Sequence, residues 1–136
     1  SINSMADAIR TQTNKRVSEK SAKRIGQDLD QYLDGRSLQA STEAEEKGRK
    51  TVRPEDVKDS RDFAASGNES IWLPNAPIER IVKRNSERVS EQAVEELKKE
   101  AQDRLTEIAQ ISVSMSDHAR RKTVKSEDVE LALRGY

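Results

Sequence analysis

Arg16-Val17-Ser18-Glu19 recurs 72 residues later as Arg88-Val89-Ser90-Glu91. Two further stretches recur at the same spacing and without a gap: Arg49-Lys50-Thr51-Val52 as Arg121-Lys122-Thr123-Val124, and Glu55-Asp56-Val57 as Glu127-Asp128-Val129. Three matches at one spacing indicate a duplicated structural unit rather than chance. The half-chain is therefore the unit whose fold has to be explained.

The composition is typical of long, highly charged helices. Hydrophobic residues make up 32% of the chain, charged residues make up 37% and the mean hydropathy is −0.96. The sequence has no cysteine, which excludes disulfides and thiolate metal sites. No apolar run reaches membrane-spanning length, and the N-terminus lacks the layout of a signal peptide. We therefore expect a soluble, cytoplasmic protein without a membrane partner.

The net charge is formally zero, with 25 basic and 25 acidic residues. Each half is also balanced, with 13 of each sign before Leu73 and 12 of each from there on. A global basic surplus is the simplest argument for nucleic-acid binding, and it is absent. A DNA-binding hypothesis therefore depends on where the cations lie.

Apolar residues at helical spacing predict a short, a long and a short helix in the second half. Asn75 is predicted to cap the first helix and Ser90 the second, while Ser126 opens the third with acidic residues behind it. The predicted apolar faces are Ile78, Ile81 and Val82; then Ala93, Val94, Leu97, Ala101, Leu105, Ile108, Ala109, Ser112 and Met115; then Val129, Ala132, Leu133 and Tyr136.

The first half repeats this order with weaker patterns. Ser4 and Asp7 resemble a capping box, and Ser18 is predicted to cap the long helix, which Gly48 ends. Pro54 suits the first position of a third helix, which is expected to be short because polar residues follow Val57. The expected face of the long helix is Ala22, Ile25, Leu29, Tyr32, Leu33, Ala40 and Ala44. Residues 63–72, which end at Trp72, are predicted to be a linker.

This arrangement of helices and tight basic loops resembles the histone fold. The stretch from Leu73-Pro74-Asn75-Ala76-Pro77 to Ile81 is similar to the first helix of archaeal histones, and Arg88-Val89-Ser90 to their first loop. The sequence from His118 to Ala132 follows their second loop and third helix without a gap. The resemblance is specific over residues 73–136, and over residues 3–62 the loops carry it. It implies an all-α protein with two histone folds, 1–62 and 73–136, joined as an intramolecular handshake pseudo-dimer.

The resemblance also implies where DNA binds. In the family, the first loop of one fold lies beside the second loop of the other, so Arg16-Val17 is expected to pair with Thr123-Val124, and Arg88-Val89 with Thr51-Val52. Such loops hold double-stranded DNA without sequence preference, through phosphates and arginines in the minor groove. The expected DNA-binding residues are Arg16, Arg88, Arg49, Lys50, Thr51, Arg121, Lys122, Thr123, Arg80 and Lys83. Because Ala8 and Thr11 replace the last two in the first half, the central contact is expected on one side only.

Structural roles for these residues remain open. Arg-Lys-Thr in a single loop is most often a solvated turn. Arg16 and Arg88 could instead tie a loop to a helix acid such as Asp56 or Asp128. The alternative to a DNA-compacting chromatin protein is a histone-fold protein–protein interaction module in a transcription or chromatin assembly, which the zero net charge favours.

His118 is the only histidine. In archaeal histones, a histidine at this position pairs with an aspartate at the position of Asp128 on a neighbouring dimer, near an apolar residue that corresponds to Met115. The first half has Glu43 and Glu46 in place of Met115 and His118, which predicts acids without a cation there. Self-association of two chains through the C-terminal face is therefore expected. The first face, Glu43, Glu46 and Asp56, could accept a different, basic partner, and other histones are further candidate partners.

The sequence gives little support for catalysis. It has no serine or cysteine nucleophile in a recognisable setting beside its single histidine, and no glycine-rich loop for phosphate. Its carboxylates are spread along helix faces. The expectation is a protein that is not an enzyme and that needs neither cofactor nor metal.

Overall fold

The computed structural model describes residue 10 and residues 13–63 and 73–135. Long helices separated by two-residue strands make up most of these residues. In chain order the elements are β1 (Arg16–Val17), α1 (Glu19–Glu46), β2 (Thr51–Val52), α2 (Pro54–Asp59), α3 (Asn75–Val82), β3 (Arg88–Val89), α4 (Glu91–His118), β4 (Thr123–Val124) and α5 (Ser126–Arg134). The predictions for Ser4, Asp7, Trp72, Tyr136 and most of the linker lie outside the described residues.

The long helices begin where the sequence predicts. Ser18 Oγ accepts the backbone N–H of Ser21 at 3.1 Å, and Ser90 Oγ accepts that of Ala93 at 3.1 Å. Both serines therefore satisfy a backbone donor that a helix N-terminus would otherwise leave unpaired. The predicted caps of α1 and α4 are confirmed.

The long helices end in the same left-handed turn, built from different residues. Gly48 follows α1 with φ +73°, as predicted, because glycine adopts this conformation without a steric penalty. At the equivalent position after α4, Arg120 has φ +56°. An L-residue with a side chain is strained there by about 1–2 kcal/mol, so the second half makes the same turn at a higher cost.

The four short strands form two parallel pairs. Arg16 pairs with Thr123 and Val17 with Val124, while Thr51 pairs with Arg88 and Val52 with Val89. These registers confirm the pairings expected from the family arrangement. In each pair, one strand comes from each half of the chain.

The described residues form two compact units, and each draws on both halves of the sequence. One unit contains residues up to Leu29 and from Asp103 on, and the other runs from Asp30 to Gln102. The first has its own core of Val17, Ala22, Ile25, Leu29, Leu105, Ile108, Ala109, Val124, Val129 and Ala132. The core of the second is Leu33, Ala40, Ala44, Val52, Val57, Leu73, Ile78, Ile81, Val82, Ala93, Val94, Leu97 and Ala101.

One predicted cap is wrong. Asn75 is the first residue of α3, and Pro74 precedes it in extended conformation without a side-chain cap. The fixed φ of proline suits the entry to a helix, which is why the helix starts there without a polar cap. Within the described part of the chain, Asn75 Oδ1 has no hydrogen-bond partner.

The third helix of the first half is short, as predicted. α2 has six residues, whereas its counterpart α5 has nine. Asp59, Ser60 and Arg61 stand where α5 has Leu131, Ala132 and Leu133. The apolar face is therefore lost after Val57, and another interaction has to hold this segment.

A buried network of charged side chains replaces the missing apolar face after Val57. Glu100, 2% exposed, accepts hydrogen bonds from Arg36 Nε at 2.7 Å, from Arg61 Nη1 at 3.0 Å and from the Tyr32 hydroxyl at 3.1 Å. Arg36 also donates to the carbonyl oxygen of Val57 at 2.9 Å, at the end of the short helix. Arg61 also pairs with Glu96 at 3.2 Å, so two carboxylates balance the two guanidinium groups that anchor the segment after α2.

Phe63 lies against both guanidinium groups. Its ring centroid is 5.8 Å from the Arg36 guanidinium carbon and 5.9 Å from that of Arg61. These are cation–π distances. Phe63 therefore helps to hold the segment after α2 by packing against Arg36 and Arg61.

Candidate functional site

The paired strands place one arginine of a first loop beside a threonine of a second loop in each unit. Arg16 and Arg88 are both exposed, and among the described residues neither side chain forms a hydrogen bond or an ion pair. Their guanidinium groups are therefore available to an external anion. The threonine partners, Thr123 and Thr51, are half-buried.

The second arginine of each loop pair is half-buried and bonded to a buried acid of the protein. Arg49 donates from Nη1 and Nη2 to the two carboxylate oxygens of Asp56, at 2.7 Å each. Arg121 makes the same bidentate contact with Asp128, at 2.5 and 2.7 Å. Both acids are buried, so these are charge-assisted bonds shielded from water. They fix the second loop to the start of the following helix.

The same aspartates close the helix starts. Asp56 Oδ2 accepts the backbone N–H of Arg53 at 2.8 Å, and Asp128 Oδ2 accepts that of Lys125 at 2.8 Å. Burial by itself raises the pKa of the Asp56 carboxyl, but the bonds from Arg49, Arg53 and Lys47 outweigh it and lower the pKa to about 2. The pKa of Asp128 is lowered in the same way, against burial, by Arg121 and the Lys125 N–H.

These bonds rule out the structural role that the sequence left open for Arg16 and Arg88. Arg16 and Arg88 do not tie a loop to Asp56 or Asp128, because Arg49 and Arg121 make those bonds. The sequence showed both pairs of arginines but gave no basis for assigning the structural role. The physical reason is proximity, since Arg49 and Arg121 stand seven residues before the acids in the same loop-helix segment.

The remaining loop cations differ between the units. Lys122 is exposed and without an ion pair in the described part of the chain. Lys50 is 71% exposed, and its Nζ lies 3.9 Å from the carboxylate of Glu87. In the second unit a carboxylate therefore faces the loop cation directly.

Lys15 holds the second loop in the first unit, a role that sequence reasoning missed. Its Nζ donates to the carbonyl oxygen of Arg121 at 2.7 Å and to Ser116 Oγ at 3.0 Å, and it forms an ion pair with Asp117. Ser116 Oγ also donates to the carbonyl oxygens of the same loop. The sequence did carry a signal, because Lys15 and Glu87 occupy equivalent places with opposite charges.

The two cations predicted for a central contact both lie exposed on or just after α3. Lys83 Nζ lies 3.0 Å from Glu79, whereas Arg80 has no ion pair among the residues that the structure describes. Lys83 also lines an open concavity of about 690 Å³ with Arg49, Lys50 and Glu87. This concavity therefore contains charges of both signs.

The face predicted for self-association is an open concavity of about 600 Å³. Met115, His118 and Asp128 all line it, so the structure brings these three predicted residues together. Asp128 is 1% exposed and already bonded to Arg121, while its neighbour Glu127 is 66% exposed. Leu131, 49% exposed, adds an apolar contact that the sequence pattern did not single out.

The acidic face of the first half does contain a cation, contrary to the expectation. Lys47 Nζ lies 3.2 Å from Asp56, 2.9 Å from Asp59 and 3.9 Å from Glu43. The lysine was overlooked because its counterpart in the second half is Ala119. Repulsion at this face is therefore weaker than the sequence alone suggests.

Within residues 13–63 and 73–135 and at residue 10, no three His, Asp or Glu side chains come together in a way that could hold a metal ion. No helix in the described part of the chain is long and apolar enough to cross a membrane.

Comparison with solved structures identifies the class of fold. The histone from Methanopyrus kandleri superposes with a TM-score of 0.77 at 24% identity, over 97% of this chain and 91% of that chain. A protein from Thermus thermophilus superposes with a TM-score of 0.64 at 16% identity, over 99% and 95% of the two chains. The protein has a histone fold.

Sequence comparison identifies the family. The model for histone-like transcription factors (CBF/NF-Y) and archaeal histones matches residues 71–133. Probable archaeal histone 3 from Methanocaldococcus jannaschii is 48% identical over 64 residues, which are 46% of this chain and 96% of that protein. One of the subunits of archaeal histone HAN1 from Thermococcus zilligii is 41% identical over 63 residues, 46% of this chain and 94% of that protein. The chain belongs to this family of histone-like transcription factors and archaeal histones.

Proposed function

We propose that this protein binds double-stranded DNA without sequence preference and bends or wraps it, as an archaeal-type chromatin protein. The observation that carries the proposal is the parallel pairing of a first loop with a second loop in each unit. Each pairing presents an exposed arginine, whose side chain has no partner among the described residues, next to a threonine and a lysine. Phosphates accept bonds from such groups, and arginine can enter a narrow minor groove.

The proposal gives each loop residue a separate role. Arg16 and Arg88 enter the minor groove, and Lys50, Thr51, Lys122 and Thr123 bind phosphates. Arg80 and Lys83 add a contact from α3. Arg49 and Arg121 act mainly as positioning residues, because their bidentate bonds to Asp56 and Asp128 hold the loops in shape.

We further propose that the chain is a tandem protein with histone folds at residues 1–62 and 73–136, joined by residues 63–72 as one handshake pseudo-dimer. The repeat at constant spacing and the strand pairs that join the halves support this proposal. The similarity to a single histone chain over 97% of this chain also supports it. On this proposal the protein is associated with the chromosome in the cytoplasm.

The double substitution Arg16→Ala/Arg88→Ala tests the DNA-binding role. Because both side chains are exposed and make no internal bonds among the described residues, the fold should be unchanged. We expect the affinity for a mixed-sequence duplex to fall by more than about tenfold at moderate salt. The slope of log K against log salt, measured by fluorescence anisotropy, should become less steep by about two, because two cations close to the DNA are removed.

Lys58→Ala/Lys99→Ala is the matched control. It also removes two cations, but from helices α2 and α4 rather than from the paired strands; Lys99 is ion-paired with Glu96. Its effect on affinity should stay below about threefold. Unchanged affinity in the arginine variant would contradict the DNA-binding role of the loops and favour the protein–protein interaction module.

We also propose that two chains associate through the C-terminal face defined by Met115, His118 and Asp128. The shared concavity, with the exposed Leu131 beside it, supports this. The corresponding face of the first half has Glu43 and Glu46 in place of Met115 and His118. Lys47 neutralises these acids only in part. Association should therefore stop at two chains.

His118→Glu is expected to prevent this association. The new carboxylate would face Glu127 and Asp128 of a second copy, and like charges at close range repel. Light scattering on long DNA should show two-chain particles for the parent protein and single chains for the variant. Glu46→Gln on the other face should associate like the parent. Open-ended growth of the parent, or normal assembly of the histidine variant, would contradict the proposal.

A further inference from the structure

The two paired-loop regions carry different net charges. Residues 15–25 and 120–130 surround the pair β1–β4 and contain nine cations and four carboxylates. Their counterparts at the repeat spacing, residues 87–97 and 48–58, surround β2–β3 and contain five cations and six carboxylates. The net charges are therefore +5 and −1, although the strand sequences are the same.

The difference arises at a few positions beside the strands. Lys15, Lys23 and Arg24 in the first unit correspond to Glu87, Glu95 and Glu96 in the second. Lys20, Lys23 and Arg24 line one open concavity of about 420 Å³ at the start of α1, which Glu130, the ion-pair partner of Arg24, also lines. At the equivalent positions of α4, Gln92, Glu95 and Glu96 include two acids and no cation. A DNA backbone that follows the first loop pair would meet the exposed Lys20 and Lys23. One that follows the second would meet the exposed Glu87, while Glu95 and Glu96 are ion-paired with neighbouring cations.

The loops themselves are also held differently. In the first unit, Lys15 and Ser116 bond to the backbone of the second loop, which fixes its carbonyl groups. In the second unit, Ala44 stands in place of Ser116, and Glu87 lies 3.9 Å from Lys50. A fixed loop loses less conformational freedom on binding. The facing carboxylate in the second unit reduces the attraction of Lys50 for a phosphate.

From these observations we infer that the two loop pairs do not contribute equally to DNA binding. The pair β1–β4 is the principal contact, extended along α1 by Lys20 and Lys23, and the pair β2–β3 is a weak contact that Glu87 attenuates. This inference rests on the proposed DNA-binding function. Arg16 and Arg88, which look equivalent in the sequence, then have unequal roles.

Single substitutions of the two arginines test this inference. Affinity for a mixed-sequence duplex is measured by fluorescence anisotropy over about 50 to 200 mM salt. Arg16→Ala is expected to weaken binding about tenfold, and Arg88→Ala by less than about threefold. Both side chains are exposed and make no internal bonds in the described part of the chain, so a loss of folding does not complicate the comparison.

A gain of function provides the second arm. Glu87→Lys removes the carboxylate beside Lys50 and introduces the residue that the first unit has at this position, Lys15. We expect it to tighten DNA binding by about threefold or more and to make the slope of log K against log salt steeper by about one. Glu107→Lys changes the net charge equally on the exposed part of α4 and should alter affinity less.

The outcomes separate this inference from the function on which it rests. If the parent protein binds DNA but the two arginine variants lose equal affinity, or Glu87→Lys has no larger effect than Glu107→Lys, the inference of unequal contacts is overturned and the proposed function stands. If the parent protein does not bind DNA at any salt concentration in the series, the proposed function fails, and the inference fails with it.

Discussion

Glu100→Ala is expected to lower the free energy of unfolding by about 3–5 kcal/mol, because it removes the carboxylate shared by two buried or nearly buried cations. Arg36 and Arg61 are 7% and 12% exposed in their side chains, and Glu100 is fully covered. Burial of a charge is tolerated only when the charge is paired. Without the carboxylate, Arg36 and Arg61 would each lose their bond to Glu100 in a site with little access to water.

Chemical denaturation monitored by circular dichroism measures this effect. Glu107→Ala is the matched control, since it truncates an exposed glutamate of the same helix and should change stability by less than about 0.5 kcal/mol. A loss for Glu100→Ala as small as that of the control would mean that the network contributes nothing. The backbone N–H groups of Ser60 and Arg61, which bond to the carbonyl oxygens of Asp56 and Lys58, should lose hydrogen-exchange protection first, because Arg36 would no longer be fixed against the end of α2.

Acidification is expected to remove a further contribution of about 2 kcal/mol, which comes from Asp56. Its carboxyl has an ordinary pKa of 3.8 and a folded-state pKa of about 2. Since the folded pKa is the lower one, the contribution is complete above about pH 5 and is lost as the pH falls toward about 2. The lowered pKa of Asp128 adds a loss of the same sign.

Unfolding measured at a series of pH values tests this linkage. Asp56→Asn should be less stable than the parent at pH 7, and the difference should shrink as the pH falls through the acid range. Asp62→Asn, at an exposed position, should follow the parent curve. An Asp56→Asn curve parallel to that of the parent at every pH would show that the ionised carboxylate does not provide this stability.

Much of the fold could be predicted from local patterns. The apolar spacing and the serine caps located α1 and α4, and Gly48 and Pro54 located the turn and the short helix that follow, because these features act within a few residues along the chain. The loop pairings could be predicted as well, although they join distant residues. They required the family resemblance, since no local pattern specifies which strand pairs with which.

Side-chain partners at the candidate site were harder to predict. The sequence presented Arg16 and Arg49 as two arginines of one repeated loop motif, and the structure separates an exposed cation from one that holds Asp56. The contacts of Lys15 and Glu100 could not be predicted either, because they join residues that lie far apart in the sequence. A gap in the apolar stripe of α1 between Leu33 and Ala40 was the sign for Arg36, which is buried.

The repeated loop motifs and the helix boundaries follow from the order of residues alone, because periodicity, caps and repeat spacing depend on neighbouring residues. The three-dimensional arrangement was needed to show which of the differing charges contact the loops. Lys15 bonds to a loop more than a hundred residues away, and Glu87 faces Lys50 across the other pair. Whether a charge strengthens or neutralises a site depends on distance in space, which the order of residues along the chain does not specify.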